Sequence, residues 1–460
     1  MSCPNNSYEK VIDTFMSYCY ENDIFNGTIC ITEKDSILYR KAFGLADVLK
    51  KEELATDHVF YLASVSKPFT TMAIMILKEQ KRLNYYETLQ DYFPEFPPYA
   101  SKITVQHLMT HTSGLSDHFK LGIDKPNLTN GDVLNVLIKQ DSPNFEPGEK
   151  YSYSNGGYVM LAMIIEKTSN KTLHAFMKEN IFDPLRMKNS LVYDESKPQI
   201  AKRAIGYNIF REDDDYHILT TGAGGIFSTV EDLSKWNNAL MNNRLIKRET
   251  LNEAYISHKL NNDSFTNYGY GWSINHDSLG HRVSHKGGLS GFRTYIERNL
   301  SRKTSFFYLT NFGNSIPMDQ INEGLRNILH NKPYSLPKIP ISKTLCDIIK
   351  SGGVEKAIDQ YHIYKNESNK KYNFDEGQLD SLGYYLLGKK KIMEAIDVFK
   401  LNTTSYPEAS SPYDSLGDAY TINEDYESAI TNYKKSLELN PTNSNSEAIL
   451  AKIEKLKKNV

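Results

Sequence analysis

A 34-residue repeat near the C-terminus is the feature that most restricts the fold of this 460-residue chain. Four kinds of position recur at that single offset: Leu382-Gly383 and Leu416-Gly417, Ala395-Ile396 and Ala429-Ile430, Phe399 and Tyr433, and Pro407 and Pro441. One such unit cannot bury its apolar face alone, so a fixed period indicates stacked copies of a single supersecondary unit. The C-terminal part of the chain is therefore predicted to be a repeat array.

The period and the placement of small and aromatic residues resemble those of tetratricopeptide repeats, in which each unit is a pair of antiparallel helices. The resemblance implies an all-α domain. Leu345 to Tyr364 would be a degenerate first unit and Ser444 to Leu456 a capping helix. Such repeats would hold a protein partner or a second copy of the chain. An unrelated helical tail is the alternative.

A proline-rich segment separates the repeats from the rest of the chain. Pro333, Pro337 and Pro340 lie within nine residues of one another, and proline fits neither the interior of a regular helix nor a central strand. We therefore predict three parts: a first domain at 1–331, a linker at 332–341 and a helical domain at 342–460.

The first domain has strand patterns at both ends and helical patterns between them. The predicted strands are the following: Gly27 to Thr32, Ile37 to Phe43, Tyr268 to Asn275, His281 to Lys286, Phe292 to Arg298 and Lys303 to Thr310. A helical stretch begins at Lys67 and is apolar on every face between Met72 and Leu77, which is typical of a helix in the middle of a domain. This order predicts an α+β fold with one antiparallel sheet and a helical insertion.

The charge balance argues against a strong electrostatic field around the molecule. Lys and Arg number 54 and Asp and Glu 56, so we predict no nucleic-acid partner. No apolar run approaches the ~20 residues of a transmembrane helix, and the N-terminal residues lack the apolar core of a signal peptide. The chain as written is expected to be cytoplasmic. If its N-terminus has been trimmed, export or a lipid anchor on Cys3 is expected instead.

Several side chains of metal-ligand type are assigned structural roles. His107 and His111 have the spacing of a helical metal site, but no glutamate follows His107 and no third ligand stands out nearby. The four cysteines match neither a disulfide scaffold nor a metal-ligand spacing. Asp213-Asp214-Asp215 is expected to be a solvated loop. We therefore predict neither a metal ion nor a cofactor.

Ser-x-x-Lys occurs four times, and only the copy at Ser64 opens a buried helix. Its spacing places Lys67 one turn further along the same helix face. A serine hydroxyl is a weak nucleophile until a nearby base takes its proton. A lysine in an apolar core loses solvation, so its pKa falls from about 10.4 toward neutrality. The alternative is an ordinary helix-capping serine.

Two further motifs lie where a ligand can approach the chain. Tyr153-Ser154-Asn155 stands between the Pro147-Gly148 turn and an apolar helix. His285-Lys286-Gly287-Gly288 ends a predicted strand, and glycine at such a place lets a ligand come close to the backbone.

In order and spacing, Ser64-x-x-Lys67, Tyr153-x-Asn155 and His285-x-Gly287 resemble the three signature motifs of class C β-lactamases and their penicillin-binding relatives. Three other segments resemble landmarks of the same family: Leu108 to Leu115, Asp183 to Leu185 and Gly222 to Thr229. The resemblance covers about Ile24 to Leu329. It implies the β-lactamase/transpeptidase-like fold for the first domain.

The resemblance also implies a mechanism in which Ser64 attacks a carbonyl and forms an acyl-enzyme that water hydrolyses. Lys67 and Tyr153 would share the proton transfers. The backbone N–H groups of Ser64 and Gly288 would form the oxyanion hole. The implied catalytic residues are Ser64, Lys67, Tyr153 and His285. The implied substrate-binding residues are Asn155, Lys286 and Gly287.

The first position of the third motif bears on the substrate. A histidine there resembles the D-aminopeptidase, DD-peptidase and esterase branch, whereas β-lactamases usually have lysine. Lys286-Gly287 also fits a lysine-first motif shifted by one residue. We prefer His285, because Gly291-Phe292 then falls where the family has a glycine–aromatic pair.

The predicted function is therefore a serine hydrolase that acts on a small ester or peptide, of the esterase or D-aminopeptidase/DD-peptidase type. The alternatives are a class C-like β-lactamase and a non-catalytic protein whose repeats bind a peptide.

Overall fold

The computed structural model describes residues 5–313, 316–367, 371–441 and 446–458. The chain forms two compact units, one of Met1–Met318 with Asn322–Tyr334 and the other of Asp319–Ile321 with Ser335–Val460. Within these described ranges no helix is both long and apolar enough to cross a membrane. Cys3, the expected position of a lipid anchor, lies outside them.

The strands of the first unit are as follows: β1 Gly27–Glu33, β2 Ser36–Phe43, β3 Leu45–Asp47, β4 Glu52–Glu53, β5 Phe60–Tyr61, β6 Leu191–Val192, β7 Ile226–Ser228, β8 Ser273–Asp277, β9 Gly280–Leu289, β10 Phe292–Asn299 and β11 Thr304–Thr310. Six of them form one antiparallel sheet in the order β2-β1-β11-β10-β9-β8. Strands β5, β7 and β6 form a second, three-stranded sheet.

The helices of the first unit are as follows: α1 Asn5–Glu21, α2 Lys67–Glu79, α3 Leu89–Tyr92, α4 Val105–Met109, α5 Asn130–Leu137, α6 Asn155–Ser169, α7 Leu173–Met177, α8 Val230–Met241, α9 Arg248–Glu253 and α10 Met318–Leu329. Short 3-10 turns lie at Ala63–Ser66 and Pro98–Lys102, and a π turn at Lys178–Phe182.

The large sheet joins the two ends of the first unit. Strand β1 pairs with β11, so that Gly27 lies opposite Thr310, and α2 to α9 come between these strands in sequence. The predicted antiparallel sheet with a helical insertion is therefore present. One predicted strand begins late, at Ser273 instead of Tyr268. Gly271 has a φ of +78°, which interrupts an extended chain there.

Helix α2 lies at the centre of the first unit. Every residue from Lys67 to Leu77 is buried, and Phe69 stacks on Trp236 of α8 with 4.1 Å between ring centroids. Burying one large apolar side chain contributes about 1.5–3 kcal/mol. The apolar burial of α2 therefore offsets the cost of holding one lysine and two threonines away from water.

The second unit is mainly helical. Its helices are as follows: α11 Ile341–Gly352, α12 Val354–Asn366, α13 Glu376–Gly388, α14 Ile392–Ser405, α15 Ser411–Ile422, α16 Tyr426–Leu439 and α17 Ser446–Leu456. A short strand β12 (Ile339–Pro340) pairs in parallel with β13 (Tyr372–Asn373). The last residues of the predicted linker therefore pair with, or begin, elements of this unit.

The 34-residue period corresponds to a repeated contact between helices. A Cβ placed on Gly383 of α13 would lie 2.4 Å from the ring of Phe399 on α14. One period later, a Cβ on Gly417 of α15 would lie 2.7 Å from the ring of Tyr433 on α16. Each glycine thus lets an aromatic ring of the next helix pack against the backbone.

Candidate active site

Ser64 lies in the 3-10 turn that precedes α2. The turn requires Ala63 to adopt a φ of +49°, a left-handed conformation that costs of order 1–3 kcal/mol for a residue with a side chain. The surrounding strands hold it in place. Thr294 of β10 donates to the Leu62 carbonyl at 2.6 Å, and the Ile226 N–H donates to Ser66 Oγ at 3.2 Å.

Lys67 stands directly behind Ser64 with its side chain fully buried. Its Nζ lies 2.9 Å from Ser64 Oγ, 2.8 Å from Asn155 Oδ1 and 2.9 Å from the Ala223 carbonyl oxygen. A neutral amine has two hydrogens and one lone pair. The two carbonyl oxygens can only accept, so they take both hydrogens. The lone pair is then left for the hydroxyl hydrogen of Ser64.

The environment of Lys67 favours the neutral amine. Burial lowers its pKa well below the usual value, and the negative charge of Asp117 opposes that shift in part. A lysine amine is a base only when it is neutral, so burial favours the form of Lys67 that can accept a proton.

Tyr153 approaches Ser64 from the loop before α6. The Ser64 side chain lowers the pKa of the phenol, and burial raises that pKa by more. The ring packs against the buried His111 at a tilt of 35°, with 4.2 Å between centroids. The Lys67 amine lies 4.7 Å from the Tyr153 ring centre. Burial therefore favours the neutral phenol of Tyr153 beside Ser64.

Asn155 links Lys67 to a carboxylate that the sequence analysis did not identify. Asp117 Oδ2 accepts from the Asn155 backbone N–H at 2.8 Å and from Nδ2 at 2.9 Å. Asp117 follows the Leu108 to Leu115 segment by two residues, and that proximity was the only sequence signal for it. The Asn155 side chain therefore lies between the Lys67 amine and Asp117. One of its two Nδ2 hydrogens is not used in these contacts.

His285 is buried on the side of the sheet that faces Tyr153, with 6.3 Å between the two ring centroids. Its Nδ1 lies 2.7 Å from the Lys286 carbonyl oxygen, which can only accept, so Nδ1 carries the proton. Nε2 then accepts from the Tyr268 hydroxyl at 3.0 Å. Burial and the neighbouring Lys67 lower the pKa of His285 to about 3. The ring is therefore neutral throughout the physiological range.

The glycines of the third motif bring β9 against the turn that holds Ser64. A Cβ on Gly287 would lie 2.4 Å from the Leu62 carbonyl oxygen, so only glycine fits this contact. Gly288 is exposed beside Arg293. Lys286 is also exposed, and side chains alternate across a strand. His285, and not Lys286, therefore faces Tyr153.

Two of the three landmark segments form hydrogen bonds with residues of this cluster or with their immediate neighbours. The Gly222 carbonyl accepts from Thr70 of α2 at 2.8 Å, next to the Ala223 carbonyl that binds Lys67. The Met109 carbonyl accepts from Tyr158 at 2.7 Å, and His111 Nδ1 accepts from the Ser154 N–H at 3.1 Å. The Asp183 to Leu185 landmark has other contacts. Asp183 pairs with Lys178 at the surface, and the Leu185 side chain is buried in the core.

The other candidate ligand groups have structural contacts. His107 accepts a hydrogen bond from the Thr104 N–H at the start of α4, whereas His111 packs against Tyr153. Across the described residues no three His, Cys, Asp or Glu side chains are grouped to hold a metal ion. The expectation of a solvated Asp213-Asp214-Asp215 loop is wrong for Asp215, which forms a two-point ion pair with Arg203.

Ser64 lies beside a buried lysine and a buried tyrosine, and a glycine-containing strand packs against its turn. This arrangement is typical of a serine hydrolase. Comparison with known proteins agrees. The Beta-lactamase family model matches residues 9–330. Penicillin-binding protein 4* of Bacillus subtilis (strain 168) is 33% identical over 358 residues, which cover 73% of this chain and 79% of that protein.

Solved structures show the same fold. The octameric penicillin-binding protein homologue from Pyrococcus abyssi superposes with a TM-score of 0.62 at 25% identity, over 76% of this chain and 82% of its own. The D-amino acid amidase from Ochrobactrum anthropi SV3 has a TM-score of 0.60 at 22% identity, over 71% and 97%.

The chain belongs to the Beta-lactamase family, and it is a serine hydrolase of that family. The resemblance predicted from the three motifs is confirmed. The family match ends at residue 330, so the identity of the helices beyond it as tetratricopeptide repeats stays a prediction.

Proposed function

We propose that this protein hydrolyses small esters or amides of D-amino acids through an acyl-enzyme on Ser64. The observation that carries the proposal is the hydrogen bonding of Lys67. Two carbonyl acceptors take both hydrogens of the neutral amine, and the third neighbour is Ser64 Oγ at 2.9 Å. The amine lone pair is thus available only to the nucleophile.

In the proposed reaction Lys67 takes the hydroxyl proton as Ser64 attacks the substrate carbonyl. The backbone N–H groups of Ser64 and Gly288 bind the oxyanion that forms, and each such donor contributes about 3 to 4 kcal/mol to the transition state. Tyr153 is protonated because burial raises its pKa, so it can pass a proton to the leaving group. Water then hydrolyses the acyl-enzyme by the reverse transfers.

The neutral state of His285 supports a substrate without a carboxylate at that position. β-Lactams and the C-termini of peptides carry such a carboxylate, and a lysine at the first position of the motif offers it a cation. His285 offers none, since burial lowers its pKa to about 3, and Lys286 leaves the strand from the opposite face. We therefore expect weak β-lactamase activity. Gly287 and the second Nδ2 hydrogen of Asn155 would contact the substrate amide or ester.

We further propose that the second unit is a tetratricopeptide array that holds a protein partner or a second copy of the chain. The support is the 34-residue period and the glycine–aromatic contact that recurs with it, Gly383 against Phe399 and Gly417 against Tyr433. Size-exclusion chromatography of the full chain with light-scattering detection tests self-association. If the protein is a monomer at all concentrations, self-association is excluded and binding of a different protein is the remaining role.

The test of the catalytic proposal is a substrate panel of p-nitrophenyl esters, D- and L-amino-acid amides and a chromogenic cephalosporin. We expect turnover of esters or D-amides, little turnover of the cephalosporin, and loss of all activity in Ser64→Ala. A labelled fluorophosphonate should modify Ser64 in the wild-type protein. Failure to label Ser64 and failure to turn over any member of the panel would favour a non-catalytic binding protein.

A further inference from the structure

The two ends of the Asn155 side-chain amide face groups with opposite hydrogen-bonding requirements. Oδ1 faces the Lys67 amine at 2.8 Å, and Nδ2 faces the Asp117 carboxylate at 2.9 Å. The amide would fit the same space if it were rotated by half a turn. In that orientation Nδ2 would point a hydrogen at Lys67 and occupy the lone pair that Ser64 needs. The orientation of Asn155 therefore decides whether Lys67 is a base.

We propose that Asp117 is a positioning residue that fixes the orientation of the Asn155 amide and so keeps the lone pair of Lys67 on Ser64. The inference rests on the proposed function, in which Lys67 takes the proton of Ser64. A carboxylate can only accept, so it attracts Nδ2 and repels Oδ1. Rotation of the amide would exchange a charge-assisted hydrogen bond for the repulsion of two acceptors.

Asp117 is itself held firmly enough to serve this role. It is 8% exposed. Its Oδ2 accepts from the backbone N–H of Asn155 at 2.8 Å, and Oδ1 accepts from the Phe119 N–H at 2.9 Å. Both oxygens are thus bound to backbone groups. A carboxylate fixed in this way cannot follow Asn155 if the amide rotates.

Asp117 also acts on Lys67 through its charge, which gives the proposal a distinctive readout. The titratable groups that interact with the Lys67 amine in the described structure are the following: Asp117, His111, His118, His285, Tyr153 and Tyr158. The Asp117 charge raises the pKa of Lys67 against the larger lowering by burial. Removal of that charge lets the pKa of Lys67 fall further, so the neutral amine persists to lower pH.

The experiment measures the rate of Ser64 labelling by a fluorophosphonate against pH, in the full-length protein. This probe reports the nucleophile without knowledge of the natural substrate. In Asp117→Asn we expect the acid limb of the pH profile to move to lower pH, because the charge that raises the pKa of Lys67 is gone. The alkaline plateau should fall by about tenfold or more, since the amide is no longer held in one orientation. The control is Asp124→Asn, an exposed carboxylate of the same loop, which should match the wild type.

The outcomes separate the inference from the proposed function. A wild-type protein that is not labelled at Ser64 overturns the proposed function. If the wild type is labelled, an unmoved acid limb or an unchanged alkaline plateau in folded Asp117→Asn overturns the role of Asp117. Damage to the structure alone would lower the plateau without shifting the limb, and loss of the charge alone would shift the limb without lowering the plateau. If Asp117→Asn does not fold, Asn155→Ala replaces it. Labelling at the wild-type rate in Asn155→Ala would also overturn the inference.

Discussion

Gly287 is the position where one methyl group perturbs the active site most directly. The Cβ of an alanine there would lie 2.4 Å from the Leu62 carbonyl oxygen and 2.2 Å from Thr294 Oγ1. Those two atoms are bonded to each other at 2.6 Å, so neither can move aside freely. Ordinary contact begins near 3.4 Å, and β9 must therefore separate from the Ser64 turn by about 1 Å.

A displacement of that size has a predictable cost. A 1 Å error in the position of a nucleophile lowers kcat/KM by about 100-fold, and overpacking of a close contact destabilises a fold by about 1–3 kcal/mol. The assays are kcat/KM on the best substrate of the panel and urea denaturation. Gly131→Ala is the matched control, since its Cβ would meet only Thr129 Oγ1 at 3.7 Å. A folded Gly287→Ala protein with wild-type kcat/KM would refute the reasoning.

Three further predictions follow from the same site. Ser64→Ala removes one oxygen from a half-buried residue, so circular dichroism should overlay with the wild type while turnover falls to background; retained turnover would place the nucleophile elsewhere. The acid limb of kcat/KM against pH should report the amine of Lys67 and not the ring of His285. His285→Gln should leave the limb in place, because the pKa of about 3 already makes His285 neutral, and a limb lost in His285→Gln would contradict this. A chain ending at Tyr334 should unfold cooperatively and keep part of its activity; a folded but inactive protein would show that the helical unit completes the site.

Much of the fold could be predicted because it depends on local patterns. The apolar run from Met72 to Leu77 places α2 in the core whatever surrounds it, and all of these residues are buried. The strand predicted from Tyr268 was wrong at its start, because the left-handed φ of Gly271 depends on its neighbours in space and not on alternation in the sequence. The linker prediction treated Pro340 as a chain breaker, but the parallel pairing of β12 and β13 includes it.

The residues of the site also differ in whether a local sequence pattern identifies them. The three motifs could be predicted because each combines a reactive group with a fixed spacing. Asp117 and Tyr268 could not, since their importance lies in single contacts with Asn155 and His285 that no spacing encodes. The protonation of His285 also required the structure. A histidine alone indicates a group that titrates near neutrality, and only its burial shows that it does not.

The glycine–aromatic contact of the second unit bears on how this chain can change in length. Because Gly383 and Phe399 are repeated 34 residues later by Gly417 and Tyr433, a duplication or loss of one whole period would restore the same contact at the new junction. An insertion within one of these helices would move the glycine away from the ring that packs against it. Unequal crossing-over within this part of the gene should therefore give viable proteins that differ by multiples of 34 residues, while the catalytic unit stays constant in length.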